Sequence, residues 1–488
     1  MSTRAGLTSR SLRGFLVLGS STAGQAIVNI IFLGVLARLL TPSDFGIITA
    51  ASVVTLLGDS LCRLGLGPAL VQRPTIEPRH VVTASHTTLL LGLGLAGLLI
   101  VFRYQIEFAF RIDGLAQVLL PLSLVFPLRS ACVVAEALAQ RELKFGIIGS
   151  SQAASYIIGY GACGIGAAYL GAGLWSLVTA QLAQAIIRSA ILIRVVKHPR
   201  VGRLDTEALK ELLPFALDVT AVELLSYIAN QADKFLAGRS LGAELLGLYG
   251  RAYQLTSAPA LGFALIVDKV LFPALASVQN QPDRLKKAYV SAQTIVGIVT
   301  LPSSALLLIL APEVISIVLG DGWGLAIRPL QWLAAGTFLR TGYKLSGTLA
   351  RSLGKTRSVV IYQAIYAAAV ALFCSLFLKF GIDGIAFGVF LALLLEYILL
   401  ANLSAKLIDV SYRQVLKTAL PGLAIAIIVG GPAEALANYL RLQKYSDVFV
   451  ILLSPLPGVT IAGFLLYFNR NNSMLNDYLE KFRRKKSA

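Results

Sequence analysis

Apolar residues along this chain gather in long runs. About fourteen of these runs reach the roughly 20 residues an α-helix needs to cross a hydrocarbon core of about 30 Å. They fall at 14–37, 45–66, 81–102, 115–138, 146–169, 173–194, 212–233, 246–272, 288–311, 326–349, 358–379, 383–405, 416–438 and 446–468. Pro329 interrupts the tenth run, and Pro421 and Pro432 the thirteenth. A membrane helix tolerates proline where its neighbours satisfy the freed backbone groups. The pattern predicts an all-α membrane protein of about fourteen transmembrane helices.

The loops orient these spans. Basic residues collect in alternate loops: Arg73 and Arg79; Arg141 and Lys144; Lys197, Arg200, Arg203 and Lys210; Arg284, Lys286 and Lys287; Arg351, Lys355 and Arg357; Lys406 and Arg413. The intervening loops near 103–113, 170–172, 237–245, 312–325, 380–382 and 439–445 are short and weakly charged. Cytoplasmic loops of membrane proteins carry the excess of Lys and Arg, so both termini are expected in the cytoplasm. An odd number of spans would scramble the alternation.

Composition agrees. Of 488 residues 56% are apolar and 14% charged, with mean hydropathy +0.74, whereas soluble domains carry about 25% charged residues. The net charge of +18 is explained by the loop bias, which removes the argument for a nucleic-acid partner. Cys62, Cys132, Cys163 and Cys374 lack zinc-ligand spacing and read as small packing residues. His80, His86 and His198 are scattered and read as interfacial side chains. No Walker-type loop is present, the loops are too short to house an enzyme domain, and neither cofactor nor metal is called for. Arg4, Arg10 and Arg13 precede the first run, which has no convincing cleavage site and reads as an uncleaved span.

A repeat lies within the chain. Ala37-Arg38-Leu39-Leu40-Thr41-Pro42-Ser43-Asp44-Phe45-Gly46 matches Gly238-Arg239-Ser240-Leu241-Gly242-Ala243-Glu244-Leu245-Leu246-Gly247, with Arg and Gly eight apart in both. Pro68-Ala69-Leu70 is echoed by Pro273-Ala274-Leu275. Six spans separate the copies, so the halves run in parallel topology about an axis along the membrane normal. The expected domains are a first lobe of six helices at 1–200, a second at 201–410, two further helices at 411–470 and a basic cytoplasmic tail at 471–488. Gly159, Gly161, Gly164, Gly166, Gly171 and Gly173 crowd the fifth span and the turn after it, where small residues let helices approach closely.

Charges inside the spans are the candidate chemistry, because each costs at least about 2.5–3.5 kcal/mol to insert. The basic set is Arg63, Arg129, Arg188, Arg251, Lys269, Arg340 and Lys344; the acidic set is Asp59, Glu136, Asp218, Glu223, Asp268, Glu396 and Glu434, with Asp233 and Lys234 at the end of span seven. Arg340 and Lys344 share one helix face without an acidic neighbour at helical spacing, and two convergent cations suit a phosphate-bearing ligand. The alternative is pairing with carboxylates of another span, such as Asp218 or Glu223. Arg129 and Arg251 would give each half a cation. Arg63, Arg188 and Lys269 lie nearer the cytoplasmic end, where long side chains snorkel, and Asp59 is a ready i, i+4 partner for Arg63. Asp218 and Glu223 point to different faces; either is a candidate for a coupling proton or cation, and pairing with the cations is the other reading.

The runs Gly34–Gly46, Leu64-Gly65-Leu66-Gly67-Pro68-Ala69-Leu70-Val71-Gln72-Arg73, Asp233–Gly247 and Leu271-Phe272-Pro273-Ala274-Leu275 resemble those of bacterial oligosaccharide flippases of the polysaccharide-exporter type. These are Wzx-like members of the multidrug/oligosaccharidyl-lipid/polysaccharide superfamily. The likeness covers most of the chain, is weakest past Val415, and looks closest to exporters of secreted heteropolysaccharides such as colanic acid or xanthan. It implies an inner-membrane protein of two six-helix lobes forming a V, followed by two C-terminal helices. It also implies an undecaprenyl-diphosphate-linked oligosaccharide as substrate, surrounding membrane lipid, and a neighbouring polymerase or assembly complex. The family has a cationic lumen but no short catalytic signature, so the expected contacts rest on charge and depth: Arg129, Arg251, Arg340 and Lys344 for diphosphate or acidic sugars, in one chamber between the lobes. A cation-coupled multidrug exporter and a peptidoglycan-precursor flippase of the same superfamily are the rival readings, with a non-transporting scaffold behind them.

Overall fold

A computed structural model describes residues 24–468, apart from 26, 200–201, 267–274, 276–277 and 279–280. The start of the first run, Asp268, Lys269, Pro273 with Ala274, and the tail at 471–488 lie outside the described residues. Among those described, no strand occurs and helices follow the predicted runs. The first half comprises α1 (Ile27–Leu39), α2 (Pro42–Arg63), α3 (Leu66–Gln72), α4 (Pro78–Phe110), α5 (Leu115–Leu122) and α6 (Val125–Arg141). It continues with α7 (Phe145–Tyr156), a π-helical stretch (Ile157–Gly164), α8 (Ile165–Tyr169) and α9 (Leu174–Val195). The second comprises α10 (Thr206–Ile266), α11 (Pro282–Ile309), α12 (Ala311–Leu319), α13 (Ile327–Ala335), α14 (Thr337–Ser352), α15 (Thr356–Phe377) and α16 (Gly381–Leu407). The chain then adds α17 (Tyr412–Lys417), α18 (Leu420–Leu442), α19 (Asp447–Leu453) and α20 (Pro455–Phe468).

Nine helical stretches among the described residues are long and apolar enough to cross a membrane. Large apolar side chains such as Phe108 (79% exposed) and Ile427 (73%) stand on the outer surface, as expected where hydrocarbon replaces water. The chain is a multi-pass membrane protein.

Two of the nine stretches, 206–257 and 356–407, hold a reversal. In a straight helix Asp233 and Tyr249 would stand about 24 Å apart. Instead the Tyr249 hydroxyl donates to Asp233 Oδ2 at 2.5 Å. The chain turns back at Gly242, whose φ of +85° is closed to most L-residues, and α10 becomes two antiparallel limbs. A local sequence signal also starts α2. Thr41 Oγ1 accepts the Asp44 N–H at 3.2 Å while the Asp44 carboxylate accepts the Thr41 N–H at 3.0 Å, and Pro42 occupies the first turn. The prolines behave more mildly than expected. Pro329 and Pro421 sit in first turns, where no N–H is needed, and only Pro432 lies inside its helix. The break in span ten falls at Gly336 instead.

The closing pair of spans is clamped to the second half. α18 packs along α11. Arg441 at its end grips the buried Glu313 through Nε–Oε1 at 2.6 Å and Nη2–Oε2 at 2.9 Å, and donates to the Ile309 carbonyl at 2.8 Å. Replacing Arg441 with alanine strands Glu313. The expected loss is ~2–3 kcal/mol, below the 3–5 of a fully buried pair because Arg441 is partly wet. Thermal unfolding in detergent should show a lowered midpoint for Arg441→Ala that Glu313→Gln in the same chain partly restores.

A cationic cavity between the two halves

The halves meet along α2 and both limbs of α10. At the weakly charged end Gly46 lies against the Ala243 carbonyl and Gly247 against the Pro42 carbonyl, so a Cβ at either position would overlap backbone. The repeat seen in the sequence is thus a reciprocal contact. Arg38 Nη2 donates to the Ile317 carbonyl and Arg239 Nη1 to the Ala109 carbonyl, both at 2.6 Å, each crossing to the other half. Trp323 Nε1 donates to the Ala37 carbonyl at 3.2 Å, and its ring meets Phe45 edge-on at 5.5 Å.

At the basic end Gly65 lies against the Ala216 carbonyl, Leu212 and Ala216 pack against Leu66, Leu70 and Val81, and an ionic group stands beside them. Glu211 at the start of α10 takes Arg73, Arg79 (3.3 Å) and His80 Nε2 (3.1 Å). His80 Nδ1 accepts the Glu77 N–H at 3.0 Å, which puts the proton of a neutral ring on Nε2, facing the carboxylate. Asp205 caps α10 by accepting the N–H groups of Glu207 (2.9 Å) and Ala208 (3.2 Å). Those bonds, the Ala208 N–H foremost, hold its carboxyl below the usual range, with Arg79 adding to the effect. Its stabilising contribution is therefore present above the ordinary carboxylate range and is lost only as pH falls through the lowered value.

Between the two ends is a cavity of about 240 Å³. Arg251 from the second limb of α10 enters it from one side; Asn29, Ser52, Tyr156, Tyr160 and Gln181 of the first half face it. The guanidinium donates to Gln254 Oε1 at 2.6 Å and Thr49 Oγ1 at 3.4 Å and lies over the Phe45 ring at 4.7 Å. Arg251 Nε and Asn29 Oδ1 are buried without a hydrogen-bond partner. The glycine-rich fifth span explains the far wall. Gly159 and Gly164 press against α9 and Gly161 against the Phe32 ring, and the π-helical stretch runs between them. Tyr156 and Tyr160 stack there at 4.7 Å. Among the described residues the cavity offers a buried cation, amides and phenols, and no carboxylate lines it. That chemistry accepts an anion with oxygen atoms.

The other predicted contacts are placed elsewhere. Arg129 Nη1 lies 3.7 Å from Asp59 Oδ2, which also takes Arg63 at 3.2 Å, the i, i+4 partner expected from spacing. Glu223 reaches this group electrostatically across the interface, whereas Asp218 is exposed. Arg188 pairs with Glu136 at 2.8 Å. Arg340, 8% exposed, sits over the Tyr253 ring at 4.8 Å, with Lys234 over the same ring at 3.9 Å. Lys344, one turn on, is half-buried and engaged in a contact of its own. Of the four, Arg251 lines the cavity, Arg129 reaches its Tyr160 wall electrostatically while paired to Asp59, and Arg340 and Lys344 stand on another helix. Arg251 and Tyr253 are two residues apart, roughly 200° around a helix, so one faces the first half and the other the interior of the second. Asn29, Tyr156, Tyr160, Gln181 and Gln254 escaped the sequence reading, though two tyrosines one turn apart in a glycine-rich span were a visible signal.

The family described as "Polysaccharide biosynthesis protein" matches residues 35–328, more than half of the chain. The "Lipopolysaccharide biosynthesis protein WzxC" of Escherichia coli (strain K12) is 27% identical over 68% of each chain. The "Teichuronic acid biosynthesis protein TuaB" of Bacillus subtilis (strain 168) is 24% identical over 72% of each. The solved structure "Lipid II flippase MurJ, inward closed conformation" superposes with a TM-score of 0.73 over 92% of this chain and 99% of that one, at 16% identity, which shows a common fold.

The glycine seam makes a direct prediction. Gly247→Ala puts a methyl group on the Pro42 carbonyl, so the weakly charged end must part. In a background whose native cysteines are replaced, a cysteine at Ala243 should react several-fold faster with a membrane-impermeant maleimide, while one at Ala216 near the basic end keeps its rate. Equal rates at Ala243 with and without Gly247→Ala would show that the seam does not close that end.

Proposed function

Because the chain belongs to the polysaccharide biosynthesis protein family, we propose that it is a flippase for undecaprenyl-diphosphate-linked oligosaccharide repeat units. It carries them from the cytoplasmic to the periplasmic leaflet of the bacterial inner membrane by alternating access, without a covalent step, for exopolysaccharide, capsule or O-antigen assembly. The observation that carries this reading is Arg251, a buried cation with a spare N–H, in a cavity between the lobes that no carboxylate among the described residues lines.

A cavity of about 240 Å³ is below the roughly 300–1,000 Å³ of pockets that enclose drug-sized ligands, so in the closed state it suits the diphosphate and not the sugars. The sugars need the lobes apart, while the polyprenyl tail stays in lipid. Arg251 is the first diphosphate contact in this scheme. Arg340 and Lys344 take the head group when rocking of the lobes exposes their face, and Arg129 exchanges Asp59 for substrate. Of the candidate coupling carboxylates, Glu223 is placed to sense that exchange through Arg63 and Asp59; Asp218 is retained as the second. The basic end, by the loop rule, is cytoplasmic along with both termini. The domain limits are those expected from the repeat, 1–200, 201–410 and 411–470, with the tail at 471–488, and a polymerase on the periplasmic side receives the product.

A multidrug exporter for organic cations would place acidic groups where Arg251 stands, which disfavours that alternative. A peptidoglycan-precursor flippase shares the need for a diphosphate contact and differs in phenotype, since its loss stops growth. Deleting the gene should leave viable cells that accumulate lipid-linked repeat units and lack surface polymer. Arg251→Ala, and separately the pair Arg340→Ala with Lys344→Ala, should fail to restore export by at least tenfold while inserting normally. Full export by Arg251→Ala would remove the cavity from the mechanism.

A further inference from the structure

A second and larger recess lies on the second lobe at the weakly charged end. It measures about 820 Å³ and opens between α11, α13 and the α15–α16 turn. α13 runs along the recess, packed on both α11 and α16. Its walls are aromatic: Trp332 meets Phe387 at 4.8 Å, and Phe377 meets Phe387 edge-on at 4.9 Å. At the rim stand one cation and one anion. Arg328 Nη1 is 3.8 Å from Asp383 Oδ2, longer than a direct hydrogen bond, and Arg328 is 79% exposed. Neither group belongs to the cavity between the lobes.

Depth identifies the setting. Arg328 is the second residue of α13 and Asp383 the third of α16, so the rim lies at the helix ends, level with the membrane–water interface. Trp332 and Phe387 each stand one turn deeper than their rim residue, toward hydrocarbon. The recess is therefore apolar below and carries a side-by-side plus and minus above. A lipid with a phosphate alone leaves Asp383 facing an anion. A choline head group supplies a positive charge without an N–H to donate. A primary ammonium beside a phosphate satisfies both rim groups: the phosphate accepts from Arg328, the ammonium donates to Asp383, and an acyl chain lies against Trp332, Phe377 and Phe387.

We propose that this recess binds an aminophospholipid, phosphatidylethanolamine in class, drawn from the leaflet at the weakly charged end. The site is separate from the flippase reading and stands or falls without it. Native mass spectrometry of the full chain, titrated with palmitoyl-oleoyl phosphatidylethanolamine, phosphatidylcholine or phosphatidylglycerol, tests it. The expected order puts phosphatidylethanolamine first by about threefold, the scale of one partly exposed ion pair. Asp383→Asn should bring phosphatidylethanolamine down to the phosphatidylcholine level and leave phosphatidylcholine unchanged. Trp332→Ala should weaken all three, with an unchanged melting temperature showing that each variant is folded. Tightest binding of phosphatidylglycerol, or equal binding of all three by the unsubstituted chain, overturns the proposal whatever the variants do.

Discussion

The closeness of α2 to α10 is the constraint on which the interface depends. Gly46 and Gly247 each face a carbonyl of the opposite helix, and any side chain there would push the lobes apart. Membrane helices have no hydrophobic drive toward one another, so association relies on packing and hydrogen bonds that small residues permit. Everything near the seam inherits its register. Arg251 lies one turn beyond Gly247, and Thr49 one turn beyond Phe45, so closing the seam delivers the guanidinium onto the Phe45 ring and into the tyrosine-walled cavity. Backbone approach and cation placement are one geometric fact.

Electrostatics then sorts the intramembrane charges into two kinds. Arg63 and Arg129 share Asp59, and Arg188 holds Glu136; breaking such partnerships leaves a charge in a poor solvent. Arg251 and Arg340 are different, because among the described residues an aromatic face lies against each, with the Gln254 amide also on Arg251, and neither is paired with a carboxylate. A cation held this way keeps its charge available to an incoming anion at the cost of stability in its absence. Such a cost is tolerable only where a ligand offsets it, which makes the two arginines, and not the larger paired set, the informative ones.

Much of the helical architecture was legible in the chain because hydrocarbon imposes length. The repeat at Arg38–Gly46 and Arg239–Gly247 was legible too, and its meaning became visible only when the two copies were found across the seam from each other. The grouping of Arg129, Arg251, Arg340 and Lys344 was not readable. Spacing along one helix places residues on faces, and which neighbour meets a face is decided by tertiary packing. Arg251 and Tyr253 show the limit: two positions apart, they look into different lobes. Asp59 illustrates the same point. Its local partner Arg63 followed from spacing, while Arg129 arrived from another helix. Clamping of α18 through Arg441 and Glu313 depended on residues 128 apart and left no periodic trace.

The two closures share a glycine-to-backbone contact and differ in what stands beside it. At the weakly charged end, glycine-to-backbone contacts, a buried Trp323 and two arginine-to-carbonyl bonds join the lobes, all of them lost together if the helices separate. At the basic end Gly65 meets the Ala216 carbonyl, Leu212 and Ala216 pack against Leu66, Leu70 and Val81, and beside them Glu211 is shared among Arg73, Arg79 and the buried His80. Exposed ion pairs contribute about 0–1 kcal/mol each and are screened by salt. Arg73 and Arg79 are readily re-solvated, so the ionic part of the basic seal is the part that water and salt loosen. A polyanionic head group approaching it would meet Arg73 and Arg79 first, compete with Glu211 for them, and loosen the closure by binding. Entry from the basic side would use that competition, with the Gly65–Ala216 contact and the apolar cluster beside it still to be parted.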